Sequence, residues 1–234
     1  METPATVIAA GAPIPLPHRH TLLSRAVPFQ DGDLGELWTA RDTALNSPVL
    51  LHFLRPLDTP TPTTLATLRA HLARLQPFRR DGFVAPSNPH EHAQLWEDHL
   101  ALVLDPLKEH EVSLRAWLDE HHERGQRPPT VVAWQILQEL CGVLRVIHEA
   151  SPPLAHGRLT AAEVLLLPRG FDEYDVRVMS VGLAPFHATT AHAHGLAPRP
   201  WDAMAPEQRD ASFSADAATD VFALGVIAVE LLTG

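Results

Sequence analysis

The chain has 234 residues, of which 45% are hydrophobic, and this is enough to bury a substantial core in one large domain or two lobes. Its formal net charge of -10 at pH 7 argues against non-specific nucleic-acid binding, because phosphates would be repelled. The single cysteine, Cys141, excludes an internal disulfide and favours a reducing, cytoplasmic location. No signal peptide is recognisable and no run of about 18 apolar residues predicts a membrane span.

The first part of the chain is predicted to be rich in strands. Residues 1–19 are proline-dotted and aperiodic, which predicts a flexible leader, and the strand-rich half is predicted over residues 20–104. Two apolar runs around a glycine-bearing turn predict a hairpin, and SPVLLHFLRP predicts a third strand that ends at Pro56. Two more strands are predicted on either side of a turn at Glu97 and Asp98.

Helices are predicted at four places. One amphipathic helix lies within the strand-rich half, because its leucines recur at helical spacing. These are Leu65, Leu68, Leu72 and Leu75. In the remaining residues, 105–234, one helix is predicted to start at a Ser113 cap, and a long one starts at Thr130 with apolar residues around much of its circumference, which predicts burial on more than one side. The nearly all-apolar run TDVFALGVIAVELLTG predicts a last helix at the centre of its lobe.

Several segments, in a fixed order, resemble a bacterial protein kinase domain of the eukaryotic Ser/Thr type. LALVLDPL is similar to the hinge between the lobes, VIHEASPPLAHGRLTAAEVLLL to the catalytic loop and VRVMSVGLA to the metal-binding segment. AMAPEQ matches the family's Ala-Pro-Glu motif, and SADAATDVFALGVIAVELLTG is similar to the buried helix of the large lobe. The resemblance runs from about residue 21 to residue 234.

The resemblance implies an α+β bilobal fold. A small β-rich N-lobe with one helix, residues 20–104, would lie over a larger α-helical C-lobe, residues 105–234. The C-lobe would be incomplete, ending after its central buried helix. ATP would bind in the cleft, with its adenine against the backbone of the hinge at Leu104, Asp105 and Leu107.

The glycine loop of the family uses three glycines, so that backbone N–H groups can approach phosphate oxygens without a Cβ in the way. The matching positions here hold Gln30, Gly32 and Gly35, so the first glycine is lost. An ordinary hairpin turn would explain the two remaining glycines equally well.

The lysine that the family uses to neutralise the α- and β-phosphates is replaced by His52. The only lysine of the chain, Lys108, follows the hinge, and Arg55 would point to the opposite face of the strand from His52. The partner glutamate is also missing, because its position falls at Thr67 or Leu68. The loss of both members of the ion pair is physically consistent, because the loss of one member alone would leave a buried charge unpaired.

In the segment that matches the catalytic loop, the family's charged catalytic residues are replaced. Arg158 stands where the family has the aspartate that accepts the substrate proton, and a guanidinium cannot act as a base near neutral pH. Thr160 replaces the loop lysine and Glu163 replaces the metal-binding asparagine. Ser180 replaces the second metal ligand, and a hydroxyl is a poor sole anchor for a divalent cation.

Residues that match the structural part of the family motif are retained. They are His156, Gly182, Ala205, Pro206, Glu207, Asp220 and Gly225. In the family, the residue matching Asp220 accepts hydrogen bonds from the catalytic-loop backbone. The retained structural residues and the missing catalytic residues together predict an inactive pseudokinase that acts as a binding or regulatory module, with no metal site.

Two alternatives stay open. The first is an active serine/threonine protein kinase, an ATP-dependent phosphotransferase, that uses Glu163 for a metal ion and Arg158 for phosphate. The second is nucleotide binding without catalysis, in which ATP binds weakly and without a metal ion to the hinge, with Gly32, Gly35 and His52 nearby. No cofactor is predicted with certainty.

The 15 histidines include several closely spaced pairs, and imidazole pairs can hold Zn²⁺. Composition explains these pairs better than a metal site does, since Cys141 is alone. Three histidines after the metal-binding segment, His187, His192 and His194, give the expectation of a pH-sensitive loop.

A protein partner is expected. The helices that follow the buried helix in the family are missing from the given sequence, so the last helix would expose an apolar surface. Either the chain is a truncated product or fragment, or another protein chain covers that face, and self-association is expected in both cases. Neither a nucleic acid nor a membrane is expected as a partner.

Overall fold

The computed structural model describes residues 20–25, 36–54, 60–79, 82–86, 88–96, 99–183, 186, 204–209 and 214–233. Several predicted features lie outside these ranges and are not described further. They are the leader 1–19, the glycine-loop positions Gln30, Gly32 and Gly35, the strand end at Arg55 and Pro56, the turn at Glu97 and Asp98, and the loop histidines His187, His192 and His194.

The first half of the fold is a five-stranded antiparallel sheet with the order β1-β2-β3-β5-β4. Its strands are β1 (His20–Arg25), β2 (Glu36–Asp42), β3 (Ser47–Leu54), β4 (Ala93–Trp96) and β5 (His99–Leu104). Successive side chains of a strand point to opposite faces, so His52 shares a face with Leu50 and Leu54. Both leucines belong to the main hydrophobic core, which also includes the buried face of the neighbouring helix.

That helix, α1 (Pro62–Leu75), follows β3. It begins at a capping box, in which the Thr61 side chain accepts from the Thr64 backbone N–H at 3.1 Å and the Thr64 hydroxyl accepts from the Thr61 backbone N–H at 3.2 Å. Leu68, Leu72 and Leu75 are buried against the sheet. A 3-10 turn (Gln76–Phe78) and a short helix α2 (Pro89–His92) lead into β4.

The second half is mainly helical. Its helices are α3 (Leu114–Glu123), α4 (Thr130–His148) and α5 (Ala217–Thr233), and a 3-10 turn (Pro206–Arg209) precedes α5. A small antiparallel sheet of β6 (Val112–Ser113), β7 (Val164–Gly170) and β8 (Glu173–Val178) packs with them. The predicted cap of α3 is present, since the Ser113 hydroxyl accepts from the Ala116 N–H at 3.1 Å.

Helix α4 is buried on one broad face and exposed on the other. The buried residues, from Val132 to Ile147, pack toward β8 and α5, whereas Val131 is 82% exposed and Trp134 is 59% exposed. The expectation of burial on more than one side is therefore wrong for the described structure. Among the described helices, α4 is long and apolar enough to cross a membrane by length and composition, although here its apolar face forms part of the protein core.

The architecture confirms the predicted α+β class and the order of its parts. A small antiparallel sheet with a packed helix comes first, β5 ends at Leu104, and a helical part follows. This arrangement is compatible with a kinase-like bilobal fold. The structure corrects one detail: the first half has a second, one-turn helix, α2, which carries no helical periodicity long enough to be seen in the sequence.

Candidate functional site

A buried carboxylate organises the loop that follows α4. Asp220, in the first turn of α5, is 1% exposed. Its Oδ2 accepts from the backbone N–H of His156 at 2.7 Å, and its Oδ1 accepts from the N–H of Gly157 at 2.8 Å. The Nε2 of His148, at the end of α4, lies 2.8 Å from Oδ2 and donates to it. One carboxylate therefore ties α4, α5 and the loop together.

The imidazole of His156 connects this loop to the segment after β8. Its Nε2 donates to the carbonyl of Met179 at 2.8 Å, and its Nδ1 accepts from the N–H of Arg158 at 3.2 Å. Because one ring nitrogen accepts and the other donates, the ring is neutral. Complete burial lowers the pKa of His156, although the nearby Asp220 charge opposes this shift.

A glutamine that the sequence analysis did not single out fixes the Ala-Pro-Glu segment to the loop. The Nε2 of Gln208 donates to the carbonyl of Gly157 at 2.6 Å, and its Oε1 accepts from the N–H of Ala205 at 3.0 Å. Ala205 is fully buried, whereas Pro206 and Glu207 are exposed. Its place directly after the Ala-Pro-Glu motif could have indicated Gln208, because a side-chain amide there can both donate and accept a hydrogen bond.

The segment Ser180–Leu183 forms a tight turn beside the loop. Ser180 and Gly182 both have positive φ angles, 57° and 68°. The N–H of Gly182 donates to the carbonyl of His156 at 3.3 Å, and the N–H of Leu183 donates to the carbonyl of Ser180 at 3.1 Å. The hydroxyl of Ser180 is buried and makes no hydrogen bond to the described residues.

His71 on α1 packs directly on this turn, and the sequence analysis missed it. A Cβ added to Gly182 would lie 1.9 Å from the Nε2 of His71. The imidazole also meets the ring of Phe186 edge to face, with 6.3 Å between the ring centroids. The contact joins the sheet half to the helical half, and only the folded chain brings these residues together.

The residues that the family resemblance matches to catalytic positions lie in both halves of the fold. Arg158 and Glu163 are on the loop, and the backbone N–H of Met179 donates to the carbonyl of Glu163 at 2.9 Å, which places Glu163 beside the turn that carries Ser180. Glu163 is 7% exposed and Ser180 is 6% exposed. His52 is also buried, on the face of β3 that is shared with the core. Within the described ranges, no group of three or more His, Cys, Asp or Glu residues could hold a metal ion.

The predicted hinge follows β5. Leu104 is buried and Leu107 packs against the core, whereas Asp105 is exposed and forms an ion pair with Arg79, just after α1. The side chain of Lys108 is exposed, and its backbone N–H donates to Glu111. The Asp105 side chain thus connects the hinge to the residue that follows the 3-10 turn after α1.

A groove of about 700 Å³ runs between α4 and α5. Its lining includes Trp134, Cys141, Arg145, Val221, Gly225 and Ala228. Gly225 is exposed there, and a Cβ added to it would meet no atom within 4 Å. The structure therefore places Gly225 at an open surface, with no close packing that requires a glycine.

Comparison with known proteins gives a partial match to a protein kinase. No protein-family model matches the chain. A stretch of 121 residues, 49% of this chain, is 30% identical to the proline-rich receptor-like protein kinase PERK12 of Arabidopsis thaliana. The stretch spans 16% of that relative's length. Together with the fold, this similarity suggests a protein-kinase-like domain.

We expect Asp220→Ala to cost about 3–5 kcal/mol of unfolding free energy, because three buried donors would lose their acceptor. Urea denaturation measures the loss. The matched control is Asp216→Ala at the start of α5, where the side chain accepts from the N–H groups of Ala218 and Thr219, and we expect a loss of about 1 kcal/mol. Equal losses in the two variants would contradict the central role of Asp220.

We expect Gly182→Ala to destabilise the protein by about 1–3 kcal/mol or more, because the new Cβ would clash with His71 and because φ is 68° at this position. Gly142→Ala is the control, since a Cβ on this helical residue meets no atom within 4 Å. The control is expected to stabilise the protein by about 0.5–1 kcal/mol. Thermal melting of both variants measures the difference, and a neutral Gly182→Ala would disprove the close contact.

Proposed function

We propose that this chain is a degenerate protein kinase domain of the bacterial, eukaryotic-like Ser/Thr type, and that it acts without phosphotransferase activity as a binding or regulatory module. The single observation that carries this proposal is the loop built around Asp220. The Asp220 carboxylate accepts three hydrogen bonds, whereas the side chains on the loop are unsuited to phosphoryl transfer. The hydrogen bonds to Asp220 position the loop, and the residues on the loop lack the groups that phosphoryl transfer uses.

Proton transfer is the first missing function. The position that should accept the proton of a hydroxyl substrate holds Arg158, and a guanidinium stays protonated in proteins. The neighbouring His156 does not replace it, because both of its ring nitrogens are occupied by backbone groups in the interior. The loop therefore offers no general base at that point.

Metal and phosphate binding are the second missing function. Mg²⁺ is bound in phosphotransferases through carboxylates and substrate phosphates. Glu163 supplies one carboxylate, but the turn beside it offers the hydroxyl of Ser180 where a second carboxylate is needed. His52 on β3 replaces a fixed positive charge by an imidazole, which offers at most one donor when it is neutral.

The alternative is an active Ser/Thr kinase with displaced residues. One observation favours it: Glu163 is held by a backbone hydrogen bond beside the Ser180 turn, and Arg158 lies on the same loop. A carboxylate and a guanidinium could then take a metal ion and a phosphate group. Nucleotide binding without a metal ion, at the hinge backbone near Leu104 and Leu107, is compatible with either reading.

We expect no transfer of phosphate from ATP to a generic Ser/Thr substrate, or to the protein itself, with either Mg²⁺ or Mn²⁺. Thermal shift with ATP is expected to give at most a small rise in melting temperature that does not depend on the metal. Glu163→Gln is the matched variant, because it removes the one carboxylate and keeps the shape. Phosphate transfer, or a metal-dependent shift, that disappears in Glu163→Gln would establish the alternative.

We further propose that a protein partner covers the faces of α4 and α5. Six of the eight exposed large hydrophobic side chains in the described ranges lie on these two helices. They are Val131, Trp134, Val221, Phe222, Val229 and Leu232. Exposed large apolar side chains on two helices that pack together favour association with protein. We place the domain in the cytoplasm, since its one cysteine, Cys141, is a free exposed thiol.

In the isolated protein we expect concentration-dependent self-association, measured by sedimentation velocity. The double variant Trp134→Glu/Val229→Glu is expected to abolish it, because two charges would oppose the burial of the surface. Phe171→Glu is the control, since Phe171 is 94% exposed at the β7–β8 turn, away from both helices. A wild-type protein that stays monomeric at all concentrations would contradict the proposal.

A further inference from the structure

One partly buried titratable group, His71, has no part in the proposed function. His71 lies on α1 with its Nε2 buried, and this atom has no hydrogen-bond partner among the described residues. The backbone of Val181 lies near the ring and favours its protonated form, against the larger effect of burial on the pKa of His71. An N–H formed at Nε2 would have no acceptor among the described residues.

The packing around Nε2 leaves no room for water molecules to hydrate a protonated ring. The atom faces the α-carbon of Gly182 so closely that a methyl group there would lie 1.9 Å away. The edge-to-face contact with Phe186 covers the ring from another direction. A positive charge at this position would be both desolvated and without a hydrogen-bond acceptor, which is costly in a protein interior.

We propose that His71 is a pH-sensitive latch between the two halves of the fold. In its neutral form the imidazole holds α1 against the Ser180–Leu183 turn. Protonation loosens that contact and frees the turn. The latch makes no contact with the hinge or with Arg158 and Glu163 among the described residues, whereas the turn that it holds carries Ser180.

The charged surroundings of the ring favour the neutral form. Arg74, three residues further along α1, repels a proton on His71, and its own position is held by a hydrogen bond of 3.3 Å to the carbonyl of Pro152. The facing turn presents the backbone of Val181 and Gly182, and Phe186 presents an apolar ring. Within the described ranges no carboxylate acts on the ring to offset a positive charge.

Burial and the Arg74 charge lower the pKa of His71 below 6.5, while the backbone of Val181 opposes the shift in part. The released state, with an ordinary histidine, binds the proton more readily than the latched state. The latched state is therefore fully stable above about pH 6.5 and loses stability as the pH falls from there toward the lowered pKa. The latch opens on acidification.

The consequence of opening reaches the loop. The N–H of Gly182 donates to the carbonyl of His156, so a released turn also loses a contact to the loop that Asp220 organises. A weakly acidic environment would then change the surface around Ser180 without unfolding the helical half. A partner that contacts this turn would bind with an affinity that depends on pH.

His156 is the group most easily confused with the latch, because burial lowers its pKa as well. The two differ in location. His156 is enclosed by the helical half, with both ring nitrogens bonded, whereas His71 bridges the two halves through one unbonded nitrogen. A residue-resolved measurement separates them.

The test follows the ring protons of His71 and the backbone amide of Gly182 by NMR between about pH 5 and pH 8. In the wild-type protein we expect both signals to titrate together with a midpoint below 6.5. In His71→Gln, a neutral variant, the Gly182 amide is expected to lose its titration. His122→Gln, an exposed residue on α3, is the control and should leave the Gly182 titration unchanged.

Three outcomes would overturn the proposal. They are a His71 midpoint at or above 6.5, a Gly182 amide that does not respond to the His71 titration, and a Gly182 titration that persists in His71→Gln. The last would assign the effect to His156. Should His71→Gln fail to fold, the wild-type titration decides alone, since it requires the two signals to share one midpoint below 6.5.

Discussion

The buried carboxylate of Asp220 is the interaction on which the helical half depends. It leaves water completely, and such a burial is tolerable only because backbone N–H groups of His156 and Gly157 and the ring of His148 donate to it. These donors come from the end of α4 and from the loop, while the acceptor comes from the start of α5. One charge therefore decides where two helices and a loop meet.

Shape and chemistry are separable in this protein, because they rest on different atoms. The loop is held by backbone groups, by Asp220 and by the amide of Gln208, none of which needs to react with anything. The side chains of Arg158 and Ser180 take no part in these hydrogen bonds. Under the proposed function, the kinase-like fold is kept without the groups suited to phosphoryl transfer.

Communication between the two halves takes a different route from the one implied by the family. The family resemblance implies an ion pair between the third strand and the first helix, and its positions here hold His52 and Thr67 or Leu68. The described structure instead joins α1 to the helical half through the packing of His71 on Gly182 and through the Arg79–Asp105 pair at the hinge.

The sequence by itself determined several elements, because leucine spacing predicted α1 and the Ser113 cap predicted the start of α3. The identities of Arg158 and Ser180, also read from the sequence, motivate the proposal that phosphotransfer is lost. Periodicity and residue type are local properties, so one chain carries them in full. Only the tertiary structure decided that Trp134 is exposed on α4, that Gln208 bonds the loop, and that His71 lies on Gly182. These depend on contacts between residues distant in the chain, which no local pattern encodes.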